Sequence, residues 1–200
     1  MTNRAVFLDR DGVINSYVYQ PDFGTVDSPS NPGEFHVIDG VPETIKAIGD
    51  LGFLVIVVSN QPGIAKGKFT PALLDAVTSK MRRACHDAIH DIFYCLHHPN
   101  AALPELRADC NCRKPKPGLL LQAAEKWNID LASSFMIGDG LTDIAAGHAA
   151  GVATILVSPR KCYLCDEIDK HHANPDFVVR SLPLALPILQ SQVRTQEQTA

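Results

Sequence analysis

The sequence predicts an α/β protein, a doubly wound parallel sheet formed by a single domain over residues 1–190 with a polar tail at 191–200. Three observations lead there. Short stretches that are apolar throughout suit parallel strands covered on both faces. Longer helical stretches alternate with them, which is the rhythm of an open, doubly wound sheet. The 200 residues, 46% apolar and 20% charged, match the globular average and suffice for one core.

In chain order, Ala5–Leu8 reads as the first buried strand. Residues 16–36, rich in Pro, Gly, Ser and Asp, interrupt the rhythm as a long loop. A helix from Pro42 to Leu51 follows Asp39-Gly40, and Leu54–Val58 is the second strand. Thr70-Pro71, a capping residue and then proline at the first helical position, opens a helix running to about His90. Ile92–Tyr94 is the third strand, and residues 97–117 form a second loop carrying cysteines and prolines. A helix from Pro117 to Trp127, a strand at Phe135–Ile137 and a helix from Thr142 to Ala150 come next, the last stopped by Gly151. Strands at Ala153–Val157 and Asp176–Val179 complete the set, and the chain from Gln190 is expected to fray. No insertion is large enough for a cap domain.

Several classes are excluded. The longest apolar run, Phe53–Val58, is far shorter than the roughly 20 residues needed to span a bilayer. Met1-Thr2-Asn3-Arg4 leads straight into the first strand with no secretory core. A net charge of −4 without a basic stripe argues against a nucleic-acid partner. The expectation is a soluble cytoplasmic protein, monomeric or a small homo-oligomer, acting on a small molecule.

Chemistry concentrates where strands end. Asp9-Arg10-Asp11-Gly12 puts two carboxylates at i and i+2 just beyond the first strand. Ser59-Asn60-Gln61 ends the second with a hydroxyl and amides suited to phosphate oxygens. Arg113-Lys114-Pro115 places two cations before a helix, and Gly138-Asp139-Gly140-Leu141-Thr142-Asp143 supplies another carboxylate pair. Each alone also reads as a solvated turn, a surface basic pair or a helix cap. In this order and at these places, they resemble the four motifs of the haloacid dehalogenase superfamily of aspartate-nucleophile phosphatases, from about Ala5 to Val157.

That resemblance implies roles. Asp9 would attack phosphorus to form an aspartyl-phosphate, and Asp11 would serve as general acid and then base. Ser59 and Lys114 would hold the transferring phosphoryl oxygens. Mg²⁺ would be bound by Asp9, the Asp11 carbonyl and Asp139. Asp143 would either complete the outer shell of the metal or orient Lys114.

The cysteines point to a second metal. Cys95, His97, Cys110 and Cys112 offer three thiols and an imidazole, a closed tetrahedral set for structural Zn²⁺. Because Arg113 and Lys114 follow Cys112 directly, zinc would position the catalytic cation. Cys85 stands alone and reads as a core residue. Cys162-Tyr163-Leu164-Cys165, with His171-His172 beyond, fits a second metal site, a redox pair or incidental thiols.

Cys-Leu-His-His-Pro, Cys-Asn-Cys-Arg-Lys-Pro and the stretch Ser59–Thr70 are similar to the branch holding histidinol-phosphate phosphatases and D-glycero-D-manno-heptose 1,7-bisphosphate phosphatases, most of all the latter. The branch implies that Arg113 recognises substrate, with Asn60 beside it. Gly140 departs from that branch, as does the length of Ser16–His36 with its Tyr17-Val18-Tyr19. Both departures touch the substrate side. Removal of the 7-phosphate of heptose bisphosphate is the expected reaction, with histidinol-phosphate hydrolysis as the rival within the branch. From another class, the rival is a non-catalytic protein that binds a phosphorylated ligand.

Overall fold

Strand β1 (Ala5–Leu8) lies inside the sheet of the computed structural model, which describes residues 2–21, 24–158, 168, 170 and 172–199. A small antiparallel hairpin, β2 (Val18–Gln20) and β3 (Thr25–Asp27), follows it. Then come α1 (Val41–Asp50), β4 (Leu54–Asn60), α2 (Pro71–Ala84) and β5 (Asp91–Cys95). The rest runs α3 (Gly118–Trp127), β6 (Phe135–Gly138), α4 (Leu141–Ala150), β7 (Ala153–Val157), β8 (Phe177–Val179) and α5 (Leu186–Thr199). The main sheet has the order β5-β4-β1-β6-β7-β8, and every pairing in it is parallel.

Alternation along uniformly apolar strands explains the two-faced core. Val6 and Leu8 of β1, with Val55 and Val57 of β4, pack among Ile45 and Ile48 of α1 and Val77 and Met81 of α2. Their neighbours Ala5, Phe7, Ile56 and Val58 face the other way, toward Leu119, Leu120 and Ala123 of α3 and Ala146 of α4. Each strand therefore buries both sides, which is why its sequence shows no polar alternation. Cys85 is fully buried in the first layer, and burial pushes its thiol up to about 11, as suits a core residue. Among the described residues no helix is long and apolar enough to cross a membrane.

The structure corrects three expectations. Helix α2 stops at Ala84 rather than near His90, because His86 and Asp87 adopt left-handed backbone (φ 52° and 54°), which His and Asp tolerate better than most residues. The turn frees His90 to pair with β4: its N–H donates to the Val55 carbonyl at 2.8 Å, and its Nδ1 accepts from the Val55 N–H at 3.0 Å. Residues 16–36 contain the β2–β3 hairpin rather than loop alone, and Phe35 beyond it is fully buried. Helix α5 runs through the tail expected to fray, with Leu189 buried and Leu186 and Val193 packed on the same core. Cys162, Cys165 and His171 lie outside the described residues.

The chain order along the sheet reverses at β1, which sits between β4 and β6. In open α/β sheets, the crevice beyond the carboxyl ends of such strands is where ligands bind.

Candidate active site

The three strands around that switch point deliver the acidic and polar groups together. Asp9 leaves β1 with its backbone N–H still bonded to the Ile137 carbonyl of β6, at 3.0 Å. One of its carboxylate oxygens, Oδ1, accepts from the Arg10 N–H at 2.7 Å and lies 3.1 Å from Lys114 Nζ. Gly12 makes the turn at φ 81°, and a Cβ there would stand 2.2 Å from Asp139 Oδ2, so glycine is required for backbone shape and for space.

Lys114 is the centre of the arrangement, at 2% exposure. Its ammonium touches Asp9, reaches Asp143 Oδ1 at 2.5 Å and donates to the Val58 carbonyl at 2.8 Å. Burial alone would lower its pKa, but Asp143 and Asp9 raise it, so Lys114 is charged. Its main chain is clamped by Asn60, whose Nδ2 donates to the Lys114 carbonyl (3.0 Å) while its Oδ1 accepts from the Lys114 N–H (3.1 Å). Asn60, expected beside the substrate, is thus placed with both ends of its amide on Lys114. Asp143, for which two roles were open, pairs with Lys114 and also accepts from the Gly140 N–H at 3.0 Å, capping the start of α4.

Asp11 is held from several sides. Arg10, fully buried, forks onto it through Nε (3.0 Å) and a terminal nitrogen (3.1 Å), and the Asn15 and Gln61 amides each donate at 2.9 Å. Burial works against ionisation, yet the Arg10 charge and these donors hold the Asp11 carboxyl below its usual range. The Gln61 Nε2 also donates to Ser59 Oγ at 3.1 Å, linking Ser59 to Asp11.

Asp9, Asp139 and Asp143 bring ligand oxygens within 4.8 Å of one another. Burial and the charge of Asp9 push Asp139 from 3.8 up to about 7, against a 2.9 Å hydrogen bond from the Tyr17 hydroxyl. One ammonium among three carboxylates leaves a deficit of positive charge, and an all-oxygen set of this kind fits Mg²⁺. The shift has a sign that can be tested. Between pH 3.8 and about 7, folded metal-free protein keeps a proton on Asp139 that the unfolded chain releases, so stability falls as pH rises. A divalent cation replaces that proton. The rise in Tm on adding Mg²⁺ is therefore expected to be larger at pH 8 than at pH 5.5, read by thermal unfolding; an equal rise at both would break the link to Asp139.

The cysteine loop closes beside this site. The ligand atoms of Cys95, His97, Cys110 and Cys112 lie within 4.8 Å of one another. The sulfur–sulfur edges are 3.2, 3.2 and 3.5 Å, and His97 Nδ1 is 3.4 Å from Cys112 Sγ. These edges are about 0.6 Å or less below the roughly 3.8 Å edge of a tetrahedron with Zn–S bonds of about 2.3 Å. They are also far too long for a disulfide. The donor set fits Zn²⁺. Arg113 follows, and its guanidinium lies 3.4 Å from the His97 carbonyl.

Sequence reasoning did not single out Tyr17, Arg10 or Asn15 as contacts of the carboxylates. Only the D-R-D-G spacing hinted that Arg10 would sit between two acids.

Comparisons with known proteins show the family to which the chain belongs. The HAD-hydrolase-like family model matches residues 111–185. A D-glycero-beta-D-manno-heptose-1,7-bisphosphate 7-phosphatase from Escherichia coli (strain K12) is 44% identical over 153 residues, covering 75% of this chain and 76% of that protein. The protein of the same name from Haemophilus ducreyi is 36% identical over 195 residues, 94% of this chain and 98% of the other. The crystal structure of D,D-heptose 1,7-bisphosphate phosphatase from B. bronchiseptica, complexed with magnesium and phosphate, is similar with a TM-score of 0.76 at 29% identity, over 94% of this chain and 99% of that one.

Proposed function

Since the chain belongs to the D-glycero-beta-D-manno-heptose-1,7-bisphosphate 7-phosphatase family, we propose that it removes the 7-phosphate of that sugar bisphosphate through Asp9. It is a phosphatase of the haloacid dehalogenase type. The observation that carries the mechanism is the buried Lys114 ammonium set between Asp9 and Asp143.

Asp9 has Oδ1 engaged by Arg10 and Lys114, which leaves Oδ2 to attack phosphorus in line with the leaving oxygen. The new bond forms at Asp9 as the bond to the sugar oxygen breaks. Asp11 supplies the proton to that oxygen; its carboxyl is ionised at rest, and the approach of a phosphate dianion favours the protonated form. Asp11, now deprotonated, takes a proton from the water that opens the aspartyl-phosphate, and Asp9 is regenerated. Lys114 and Ser59 hold the phosphoryl oxygens, with Asn60 fixing the Lys114 backbone. Mg²⁺, held by Asp9, Asp139 and the Asp11 carbonyl, would neutralise the charge that nucleophile and substrate share. Structural Zn²⁺ on Cys95, His97, Cys110 and Cys112 would fix the loop that carries Arg113 and Lys114. A reducing, cytoplasmic setting keeps those thiols available.

The test is Mg²⁺-dependent phosphate release from heptose 1,7-bisphosphate and from histidinol phosphate. The heptose is expected to be preferred by at least about 100-fold in kcat/KM, the scale of one well-made charged contact or more. Preference for histidinol phosphate would keep the chemistry and overturn the substrate.

A further inference from the structure

The three carboxylates that face one another beyond β1 and β6 are not held equally. Asp9 is engaged by the Arg10 N–H and by Lys114, and Asp143 by the Gly140 N–H and by Lys114. Asp139 stands between Gly138 and Gly140, so no adjoining side chain braces it. Among the described residues no cation is paired with it, and the one hydrogen bond to its carboxylate comes from Tyr17. The Tyr17 hydroxyl donates to Oδ2 at 2.9 Å, which leaves Oδ1 without a donor.

Tyr17 comes from a distant part of the chain and is fixed there by its backbone neighbours. The Ser16 N–H donates to the His36 carbonyl at 3.0 Å, and the Asn15 side-chain amide donates to the Ser16 carbonyl at 3.0 Å. On the other side β2 begins at Val18, paired with Asp27. The ring lies over Gly12, where a Cβ would stand 2.9 Å from Tyr17 Cε2 and 2.2 Å from Asp139 Oδ2. Gly12 thus leaves room for the ring and the carboxylate together. Tyr17 is 44% exposed and lies outside the core, so its hydroxyl is not there to support packing. A carboxylate that turns freely loses rotamer freedom when it takes a metal, whereas one already held through its other oxygen does not.

We propose that Tyr17 is a positioning residue for the metal: its hydroxyl fixes Asp139 through Oδ2 and so presents Oδ1 to Mg²⁺. This role rests on the reading of Asp139 as a Mg²⁺ ligand in the proposed phosphatase, and it adds a group that acts on the metal only through that ligand.

The experiment is calorimetric titration of Mg²⁺ into the substrate-free full chain, for the wild type, Tyr17→Phe and Tyr19→Phe. The Tm of the metal-free proteins and kcat at rising Mg²⁺ are measured alongside. Removing the partner of a metal ligand predicts that Tyr17→Phe raises the Kd for Mg²⁺ by about 10-fold or more. The metal-free Tm should change little, and saturating Mg²⁺ should return most of kcat. Tyr19→Phe, the same loss of a hydroxyl at a 63% exposed position two residues on, is expected to bind Mg²⁺ as the wild type does. A Tyr17→Phe variant with the wild-type Kd would overturn the role of Tyr17 and leave Asp139 standing as a ligand. Equal weakening in Tyr19→Phe would assign the effect to the hairpin as a whole and overturn it as well. A wild type that takes up no Mg²⁺ would overturn the metal reading and this role with it.

Discussion

Asp9→Asn is expected to reduce phosphate release by on the order of 10⁴- to 10⁶-fold, the range seen when a covalent nucleophile is removed. The geometry says the loss will be chemical rather than structural. Lys114 keeps its 2.5 Å partner Asp143 and its bond to the Val58 carbonyl, so no buried charge is left alone. The asparagine amide can still accept from the Arg10 N–H that Asp9 now satisfies. Thermal unfolding should therefore change little. A second readout isolates the nucleophile: beryllium fluoride, which mimics the phosphoryl group on a carboxylate, should raise the Tm of the Mg²⁺-loaded wild type and not that of Asp9→Asn. A variant that keeps more than about 1% of activity would remove Asp9 from the mechanism, since residual catalysis by positioning alone is far smaller on this scale.

The fold was legible wherever burial dictates residue type. β1, β4, β6 and β7 announce themselves because strands covered on both faces admit little but apolar residues. The hairpin was hidden because its strands have three residues each, and its exposed Tyr19–Val26 pair buries nothing against the core. The end of α2 was hidden for a different reason: apolar spacing continues to Ile89, and only the left-handed backbone of His86 and Asp87 breaks the helix. In the tail, Leu186, Leu189 and Val193 already had helical spacing, masked by the polar residues between them.

The site divides along the same line. Carboxylates beyond β1 and β6, and cations before α3, could be placed because strand ends and helix starts confine them. Which partner each would choose could not. Asp143 turned to Lys114, Asn60 to the Lys114 main chain and Tyr17 to Asp139 through rotamers that only tertiary packing selects. Asn60, read from the sequence as a group facing substrate, has both ends of its amide on the Lys114 main chain.

The cysteine loop should prove the most sensitive part of the molecule that never touches substrate. Lys114 stands two residues after Cys112, and the Asn111 carbonyl accepts from the N–H of Gly118, the first residue of α3. Between Cys95 and Cys112 the described chain has only one short 3₁₀ turn, Pro104–Leu106, and little burial of its own. Burial holds the Cys95 thiol above its ordinary pKa, so without a cation it stays protonated. With zinc as the proposed occupant of the loop, removing it, or making Cys110→Ser, leaves the main chain at Lys114 to the Asn60 clamp and its ammonium to Asp143, Asp9 and the Val58 carbonyl. Loss of a structural metal ligand is expected to lower Tm by on the order of 10 °C in a chain of this size. Displacing the ammonium by about 1 Å should cost roughly 100-fold in kcat. Excess Mg²⁺ should not restore either quantity, whereas zinc returned to the chelated wild type should restore both, with zinc content measured alongside. If Cys110→Ser, free of zinc, unfolds at the wild-type temperature and turns over at the wild-type rate, the loop holds its shape unaided and the metal plays no part in placing Lys114.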